Sequence, residues 1–246
     1  MIKNYNKLHK IWAKSHLAGS PIKFVRNALV FKELNKLTPG VTLDIGCGIG
    51  DYAVFLSKRG HKVTAFDPSP FAIEQVTERK GNDFNIKTEI NTIEEFYSSE
   101  LFDNIVGIEV MEHIESDKVA LQKIYSILKK GGSMLISVPA TPFLYSQTDK
   151  HSGHYRRYSY ANFKKLLMEV GFKNVQIIKY GFPVLFVYSL IRKLFLDKIF
   201  IRHFSLSNKN SGKRTIAVSK IYPLILAIDK LNKPFWSVGY VAMCKK

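Results

Sequence analysis

Apolar and polar residues follow two different periods along this chain. Short apolar runs, typical of strands buried on both faces, recur at intervals. They are 41–45, 62–66, 84–88, 103–108, 134–138, 175–179 and 236–244. Between them, apolar residues recur at the spacing of helices, as in Leu121, Ile124, Tyr125 and Leu128. Strands that alternate with helices predict a largely parallel sheet covered by helices on both faces.

Cap and turn residues predict where several helices begin and end. Ser69, Ser116 and Ser159 each precede a helical pattern and are candidate N-caps. Gly131 is expected to end the helix that begins after Ser116, and Gly171 the helix that begins after Ser159. These boundaries are consistent with the strand positions that the apolar runs predict.

A glycine turn follows the first predicted strand. Gly46, Gly48 and Gly50 stand at alternate positions, and a helical pattern begins directly after them. A strand, a glycine turn and a helix in this order form the nucleotide pocket of open α/β sheets. Asp51 stands where a dinucleotide fingerprint needs glycine, and its charge would compete with a pyrophosphate for the helix end. Because Asp67 is placed to accept from ribose hydroxyls, the spacing predicts a pocket for a phosphate-free, positively charged nucleoside.

Three segments of the chain resemble motifs of the class I S-adenosylmethionine-dependent methyltransferases. Residues 43–50 resemble motif I, residues 102–114 the motif around the fourth strand, and residues 128–139 the turn and fifth strand. The match extends over about residues 40–180. It implies a Rossmann-like α/β fold whose seven-stranded sheet has the order 3-2-1-4-5-7-6, with strand 7 antiparallel. It also implies S-adenosyl-L-methionine as cofactor and S-adenosyl-L-homocysteine as product.

The resemblance also implies which residues contact the cofactor, all of them at the carboxyl ends of strands. They are Asp44, Gly46, Cys47, Gly48 and Gly50 for the methionine part and its turn, Asp67 and Pro68 for the ribose and adenine, Asn91 for the adenine, and Glu109 near the sulfonium. Many relatives place an aspartate where Asn91 stands. This departure puts the adenine contact in doubt.

Two segments at the same edge of the sheet are candidates for acting on the acceptor. His113 follows the fourth strand, and residues 151–159 resemble a Gly-His-x-Arg-Arg-Tyr signature of methyltransferases related to quinone-modifying and cell-envelope enzymes. A hydroxyl acceptor must lose its proton, so His154 or His113 is the candidate base, with a structural role as the alternative for His113. Arg156 and Arg157 would bind a phosphate or carboxylate, or one of them pairs with a glutamate and shapes the loop. No metal site is predicted.

The charge of the chain widens the range of partners. Its 37 Lys and Arg residues exceed its 20 acidic residues, which gives a formal net charge of +17. Such a balance suggests nucleic acid, a membrane surface or a phosphorylated substrate, although a lysine-rich proteome gives the same balance. Cys47 and Cys244 offer no disulfide framework, and residues 1–10 contain no apolar signal region. A cytoplasmic protein is therefore expected.

The chain is expected to form one domain with two elaborations. Residues 1–37 would be a helical cap over the cofactor pocket or packed on the sheet, and residues 40–180 the core. Residues 181–232 would be an apolar and basic helical insertion before the final strand at 235–246. Its apolar run is too short to span a bilayer, but an apolar helix flanked by basic residues is typical of a membrane interface. A lid over the site and a homodimer interface are the alternatives.

These observations predict O-methylation of a small-molecule, lipid-linked or cell-envelope acceptor, with a peripheral location at the inner membrane face. An RNA methyltransferase is the first alternative, which the charge supports. Against it, no Asn/Asp-Pro-Pro-Tyr motif follows the fourth strand. A non-catalytic binding protein that kept the fold is the second alternative. An NAD-dependent oxidoreductase is disfavoured by Asp51 and the glycine spacing.

Overall fold

The centre of the molecule is one mixed sheet. The computed structural model describes residues 20–83, 85–196 and 236–246. The strands are β1 Val41–Ile45, β2 Lys62–Asp67, β3 Ile86–Ile90, β4 Phe102–Ile108, β5 Leu128–Pro139, β6 Lys173–Tyr180 and β7 Gly239–Lys245. The seven strands have the order 3-2-1-4-5-7-6, and β7 is antiparallel to both β5 and β6. The predicted order and the direction of the last strand are confirmed.

Helices cover both faces of this sheet. They are α1 Pro21–Leu34, α2 Asp51–Ser57, α3 Pro70–Lys80, α4 Asp117–Ile127, α5 Gln147–Ser152, α6 Tyr160–Val170 and α7 Val184–Ile191, with 3-10 turns at Met111–His113 and Pro142–Leu144 and a π turn at Arg192–Leu196. Successive residues of β4 face opposite sides, so Ile105 and Val106 belong to different apolar clusters. The first cluster includes Leu121 of α4, and the second includes Val25 of α1 and Leu185 of α7.

Two of the three predicted N-caps make the expected hydrogen bond. The hydroxyl of Ser69 accepts from the N–H of Ala72 at 3.3 Å, and that of Ser159 accepts from Asn162 at 3.2 Å. Ser116 precedes α4 but makes no cap hydrogen bond through its side chain. Local sequence therefore places all three helix starts, and it predicts the capping contact at two of them.

Two predicted boundaries are wrong. β3 occupies Ile86–Ile90, two residues later than the apolar run at 84–88. Helix α4 ends at Ile127, and β5 begins at Leu128, so Gly131 lies within a strand. The reason is sheet pairing: Leu128 pairs with Phe102, and the register then shifts before the pairing resumes along β4. Tertiary pairing overrides the local glycine signal here.

The two predicted elaborations are described in part. Of the segment predicted as an N-terminal cap, the structure describes helix α1, and residues 1–19 lie outside the described ranges. Of the predicted insertion, the structure describes helix α7 and the π turn after it, and residues 197–235 lie outside the described ranges as well. The insertion leaves β6 at Tyr180 and returns at Gly239, which pair with each other in the sheet. None of the helices in the described ranges has the length and apolar content needed to cross a bilayer.

Candidate functional site

The glycine turn after β1 lies at the carboxyl edge of the sheet. Gly46, Gly48 and Gly50 have φ values of 60°, 54° and 82°, in the left-handed region that other residues rarely adopt. A Cβ added at Gly46 would lie 2.7 Å from Cγ2 of Val110, so a side chain there is excluded on space as well. The N–H of Cys47 donates to a β2 carbonyl at 3.0 Å. The turn is therefore fixed against the end of β2.

Asp67, at the end of β2, is bound to the same turn. Its Oδ2 accepts from the N–H of Gly48 at 3.0 Å, and its Oδ1 accepts from the N–H of Ser69 at 2.9 Å. Pro68 is the next residue, and the N–H of Asn91 donates to the Asp67 carbonyl at 3.2 Å. The structure thus brings the predicted ribose and adenine contacts together. The glycine turn with Asp44, Asp67, Pro68 and Asn91 is called the cofactor corner below.

Asp44 contributes a buried acid to the cofactor corner. Its side chain is almost fully buried, and its Oδ2 has no hydrogen-bond partner within the described part of the chain. Burial, and then the charge of Asp67, raise the pKa of Asp44 to about 8. Burial also raises the pKa of the Cys47 thiol well above its ordinary value, which agrees with a packing role. A cationic group beside Asp44 would satisfy its free oxygen.

Glu109 joins the end of β4 to helix α1. Its φ of 57° is in the left-handed region, and its Oε1 accepts from the hydroxyl of Ser137 at 2.9 Å. Its Oε2 lies 3.1 Å from the guanidinium of Arg26. Burial alone would lower the pKa of Arg26, but the Glu109 carboxylate reverses this, so the pKa of Arg26 is raised. The Nε of Arg26 is buried, and within the described ranges it has no hydrogen-bond partner.

His154 lies in the loop after α5, where an ionised aspartate orients it. Its Nδ1 is 2.9 Å from Oδ1 of Asp149, which also accepts from Nε of Arg157 at 2.9 Å. The other oxygen, Oδ2, accepts from the N–H of Ser146 at 2.9 Å. Burial alone would raise the pKa of Asp149, but the hydrogen bond from His154 and the charge of Arg157 lower it to about 2.

The turn after β4 places a buried acid beside this histidine. Glu112 is fully buried, and neither carboxyl oxygen has a hydrogen-bond partner among the residues that the structure describes. Its Oε1 lies 4.0 Å from Nε2 of His154, and the rings of His154 and His113 meet edge to face at 4.7 Å. Burial, and then the charge of Glu109, raise the pKa of Glu112 well above its ordinary value. Residues 112–113 and 149–157 are called the acceptor corner below.

The acceptor corner also has a set of donor atoms that suits a metal ion. One ligand atom from each of Glu112, His113 and His154 lies within 4.8 Å of the others. The charges of Arg26 and Arg157 act on Glu112 and oppose a divalent cation there. The absence of a metal site therefore stays a prediction.

Both arginines of the signature have protein partners. The side chain of Arg157 is 7% exposed, with Asp149 on its Nε and the Ala140 carbonyl 3.3 Å from another guanidinium nitrogen. Arg156 lies 3.0 Å from Oδ2 of Asp117 and donates to the Glu115 carbonyl. The partner acids are thus aspartates and not the glutamates expected as the alternative. Phosphate or carboxylate binding by these arginines stays a prediction.

A profile of methyltransferase domains matches residues 17–177, more than half of the chain. The chain belongs to the methyltransferase-domain family. Similar curated proteins are ubiquinone biosynthesis O-methyltransferases, from Bradyrhizobium sp. (strain ORS 278) at 37% identity over 117 residues and from Rickettsia typhi at 30% over 144 residues. The matches cover 47% and 55% of this chain and 45% and 58% of those proteins. The chain thus spans about half the length of the curated relatives it matches.

Solved structures of methyltransferases share the fold. Phosphoethanolamine N-methyltransferase 2 of Haemonchus contortus, in complex with S-adenosyl-L-methionine, has a TM-score of 0.64 at 19% identity. That match covers 96% of this chain and 56% of the other. An S-adenosylmethionine-dependent methyltransferase of Mesorhizobium loti has a TM-score of 0.62 at 14% identity, covering 94% of this chain and 100% of the other. At these identities the likeness establishes the fold alone.

Three residues contribute to the site although the sequence analysis did not predict them. The sequence does contain a signal for Asp149, because Ser146 and Asp149 have the spacing of a capping box, and both hydrogen bonds of that box are present. The sequence contains no such signal for Arg26, which is one of three basic residues in helix α1. Ser137 had none either, because a serine within a buried strand indicates no partner by itself.

Proposed function

We propose that this chain transfers a methyl group from S-adenosyl-L-methionine to a hydroxyl oxygen of a small-molecule or lipid-linked acceptor. The match to methyltransferase domains supports the reaction class. The relatives named as ubiquinone biosynthesis O-methyltransferases support an oxygen acceptor. No comparison favours the RNA or the non-catalytic alternative.

One observation carries the cofactor assignment: two side chains of opposite charge each have one buried polar atom without a hydrogen-bond partner in the described part of the site. These atoms are Oδ2 of Asp44 and the Nε of Arg26, whose guanidinium otherwise pairs with Glu109. Buried polar groups in proteins are almost always hydrogen-bonded, so such a pair indicates a ligand. An α-amino acid has an ammonium for the first and a carboxylate for the second. The methionine part of S-adenosyl-L-methionine is such a group, and Asp67 would accept from the hydroxyls of the ribose that follows.

Methyl transfer from a sulfonium requires little covalent catalysis by the protein. The sulfonium, when bound, supplies an electrophilic methyl group. The chain must hold the acceptor oxygen in line with that carbon and exclude water. His154 would accept the hydroxyl proton, since one nitrogen of a neutral imidazole has a free lone pair. Glu109 is tied to Arg26 and Ser137, so it would fix helix α1 over the edge of the sheet.

Titration calorimetry with S-adenosyl-L-methionine tests the cofactor assignment. Asp67→Asn removes the charge that would accept from the ribose, so we expect its Kd to rise by about 10- to 150-fold, as hydrogen bonds to charged groups are worth about 1.5–3 kcal/mol. The matched control is Glu169→Gln, which also replaces a carboxylate by an amide, at an exposed ion pair on α6. Its Kd should be unchanged. Absence of binding by the wild-type chain would favour the non-catalytic alternative.

We also propose that helix α7 rests on an anionic membrane surface. Val184, Val187, Tyr188 and Ile191 share one face of α7, and all four are exposed. Lys193 follows them, and its Nζ lies 4.4 Å from the ring centroid of Phe143, which is exposed too. Apolar side chains rimmed by basic residues suit the headgroup boundary of an anionic bilayer. The cytoplasmic location and the homodimer stay predictions.

Vesicle flotation tests the membrane proposal. The wild-type chain should float with vesicles that contain anionic lipid and much less with neutral ones. Val187→Ser with Ile191→Ser should float several-fold less. Val119→Ser, at a still more exposed valine on α4, is the control and should behave as wild type. Equal flotation of all three proteins would remove α7 from the interface, and salt-dependent RNA binding would revive the RNA alternative.

A further inference from the structure

The carboxyl group of Glu112 is a buried polar group without a protein partner in the acceptor corner. Its side chain is fully buried, and both oxygens lack a hydrogen-bond partner among the described residues. Leaving a buried polar group unsatisfied costs about 1–3 kcal/mol. A site that keeps such a group in place indicates a ligand with a hydroxyl or a similar polar atom.

The neighbour that faces this carboxyl is the ring nitrogen Nε2 of His154. The distance from Nε2 to Oε1 of Glu112 is 4.0 Å, too long for a direct hydrogen bond. The separation is short enough, however, for one hydroxyl oxygen to lie within hydrogen-bond distance of both atoms. The side chain of His154 is 15% exposed, whereas Glu112 is fully enclosed. A ligand would therefore approach past the imidazole.

Asp149 decides which nitrogen of His154 carries the proton. An ionised carboxylate is only an acceptor, so the nitrogen 2.9 Å from it, Nδ1, must donate. Nε2 then has the free lone pair, on the side of Glu112. Asp149 is itself held by Arg157 and by the backbone of Ser146. A base oriented by a buried third group is the arrangement that activates hydroxyls in unrelated enzymes.

We propose that the acceptor hydroxyl binds between Nε2 of His154 and the carboxyl of Glu112, and that Asp149 is the positioning residue that keeps His154 in its proton-accepting tautomer. This inference rests on the methyl transfer proposed above. As the oxygen–carbon bond forms, the carbon–sulfur bond breaks and its electron pair stays on sulfur, which becomes a neutral thioether. The hydroxyl proton passes to Nε2. The resulting imidazolium is stabilised by Asp149 and then loses its proton to solvent.

The tautomer can be measured without acceptor or cofactor. Nitrogen-15 spectra of histidine-labelled protein, with His154 assigned through His154→Gln, should show a protonated Nδ1 and an unprotonated Nε2 in the neutral ring. Asp149→Asn should change this pattern, because an amide can also donate to Nδ1. Asp117→Asn is the control, since Asp117 pairs with Arg156 of the same loop and not with the histidine. A protonated Nε2 in the wild-type chain overturns the proposal even if Asp149→Asn does not fold.

Methyl transfer gives the second readout. With labelled S-adenosyl-L-methionine and a membrane lipid extract as the acceptor probe, Asp149→Asn should lower kcat by on the order of 100- to 10,000-fold. The Kd for S-adenosyl-L-methionine should not change. Glu112→Gln should mainly raise KM and leave the tautomer as it is. Asp117→Asn should keep both constants within about two-fold, because the amide oxygen can still accept from the hydroxyl of Tyr158 and the ion pair with Arg156 is partly exposed on the arginine side.

Three results would contradict the subsite. One is an equal loss of kcat in Asp149→Asn and Asp117→Asn, which would make Asp149 merely structural. Another is an unchanged KM in Glu112→Gln. The third is loss of transfer in EDTA with recovery on adding a divalent metal, which would make the cluster a metal site. If the wild-type chain does not bind S-adenosyl-L-methionine, the proposed function fails, whereas the tautomer still tests the role of Asp149.

Discussion

The cofactor corner and the acceptor corner lie at one edge of the same sheet but are held in different ways. The cofactor corner depends on backbone: a turn with positive φ values and N–H groups that donate to Asp67. The acceptor corner depends on side chains, since Asp149 accepts from His154 and Arg157 together. We expect the first to be sensitive to added volume and the second to lost charge.

The acids of the two corners also differ. Asp44 is buried, one of its oxygens has no hydrogen-bond partner among the described residues, and its pKa is raised to about 8. Asp149 is equally buried but both of its oxygens accept hydrogen bonds, and its pKa is lowered to about 2. Burial acts in the same direction on both, so the difference comes from their partners. Within the described part of the chain, Asp44 therefore lacks the cationic partner that Asp149 has in Arg157.

The largest effect should come from adding one methyl group to the turn. Gly46→Ala forces a side chain into φ +60° and places its Cβ 2.7 Å from Val110, so we expect a loss of about 3 kcal/mol in the free energy of unfolding. Gly131→Ala is the control, with φ +77° and nothing within 4 Å of the added Cβ. It should lose only about 1 kcal/mol. Equal losses in urea unfolding would mean that space at the turn does not matter.

A smaller effect, with a pH signature, should follow from removing Arg157. The folded-state pKa of Asp149 lies below its unfolded value, so its contribution is present above about pH 4 and disappears as the pH falls to about 2. Arg157→Met should therefore cost about 2 kcal/mol at pH 7 and much less near pH 2. Arg156→Met should cost under about 1 kcal/mol at both. Urea unfolding at the two pH values measures this, and a pH-independent cost for Arg157→Met would contradict it.

Asp44 should show the opposite dependence on pH. Its folded-state pKa is raised, so the folded state binds the proton more tightly, and stability falls as the pH rises from about 4 to about 8. Asp44→Asn removes this penalty, at a cost of about 1–3 kcal/mol for burying an amide. Its effect on the cofactor-free chain should therefore be more stabilising at pH 8 than at pH 5, by about 3 kcal/mol. Glu169→Gln, at an exposed ion pair on α6, should show no such trend between these two pH values. A trend that is the same in both variants would rule out Asp44 as its source.

Sequence reasoning succeeded where the information is local. The strand pattern, the caps at Ser69 and Ser159 and the glycine turn each depend on neighbouring residues, and the structure has all of them. The strand order came from the family resemblance and is confirmed.

The failures are long-range. The start of β5 at Leu128 depends on pairing with Phe102. The Arg26–Glu109 contact joins α1 to the end of β4. Asp149 is the intermediate case, because its capping box is local but its contact with His154 depends on how the loop folds back. Side-chain chemistry that crosses between elements could not be located from spacing alone.

The antiparallel entry of β7 has a consequence for how such proteins can diversify. Tyr180 and Gly239 pair with each other, so the chain departs from the sheet and rejoins it at a single rung. Lengthening an insertion whose two ends are adjacent adds an entropic cost of loop closure that grows only with the logarithm of its length. New sequence can therefore accumulate at that rung without disturbing the register of any strand.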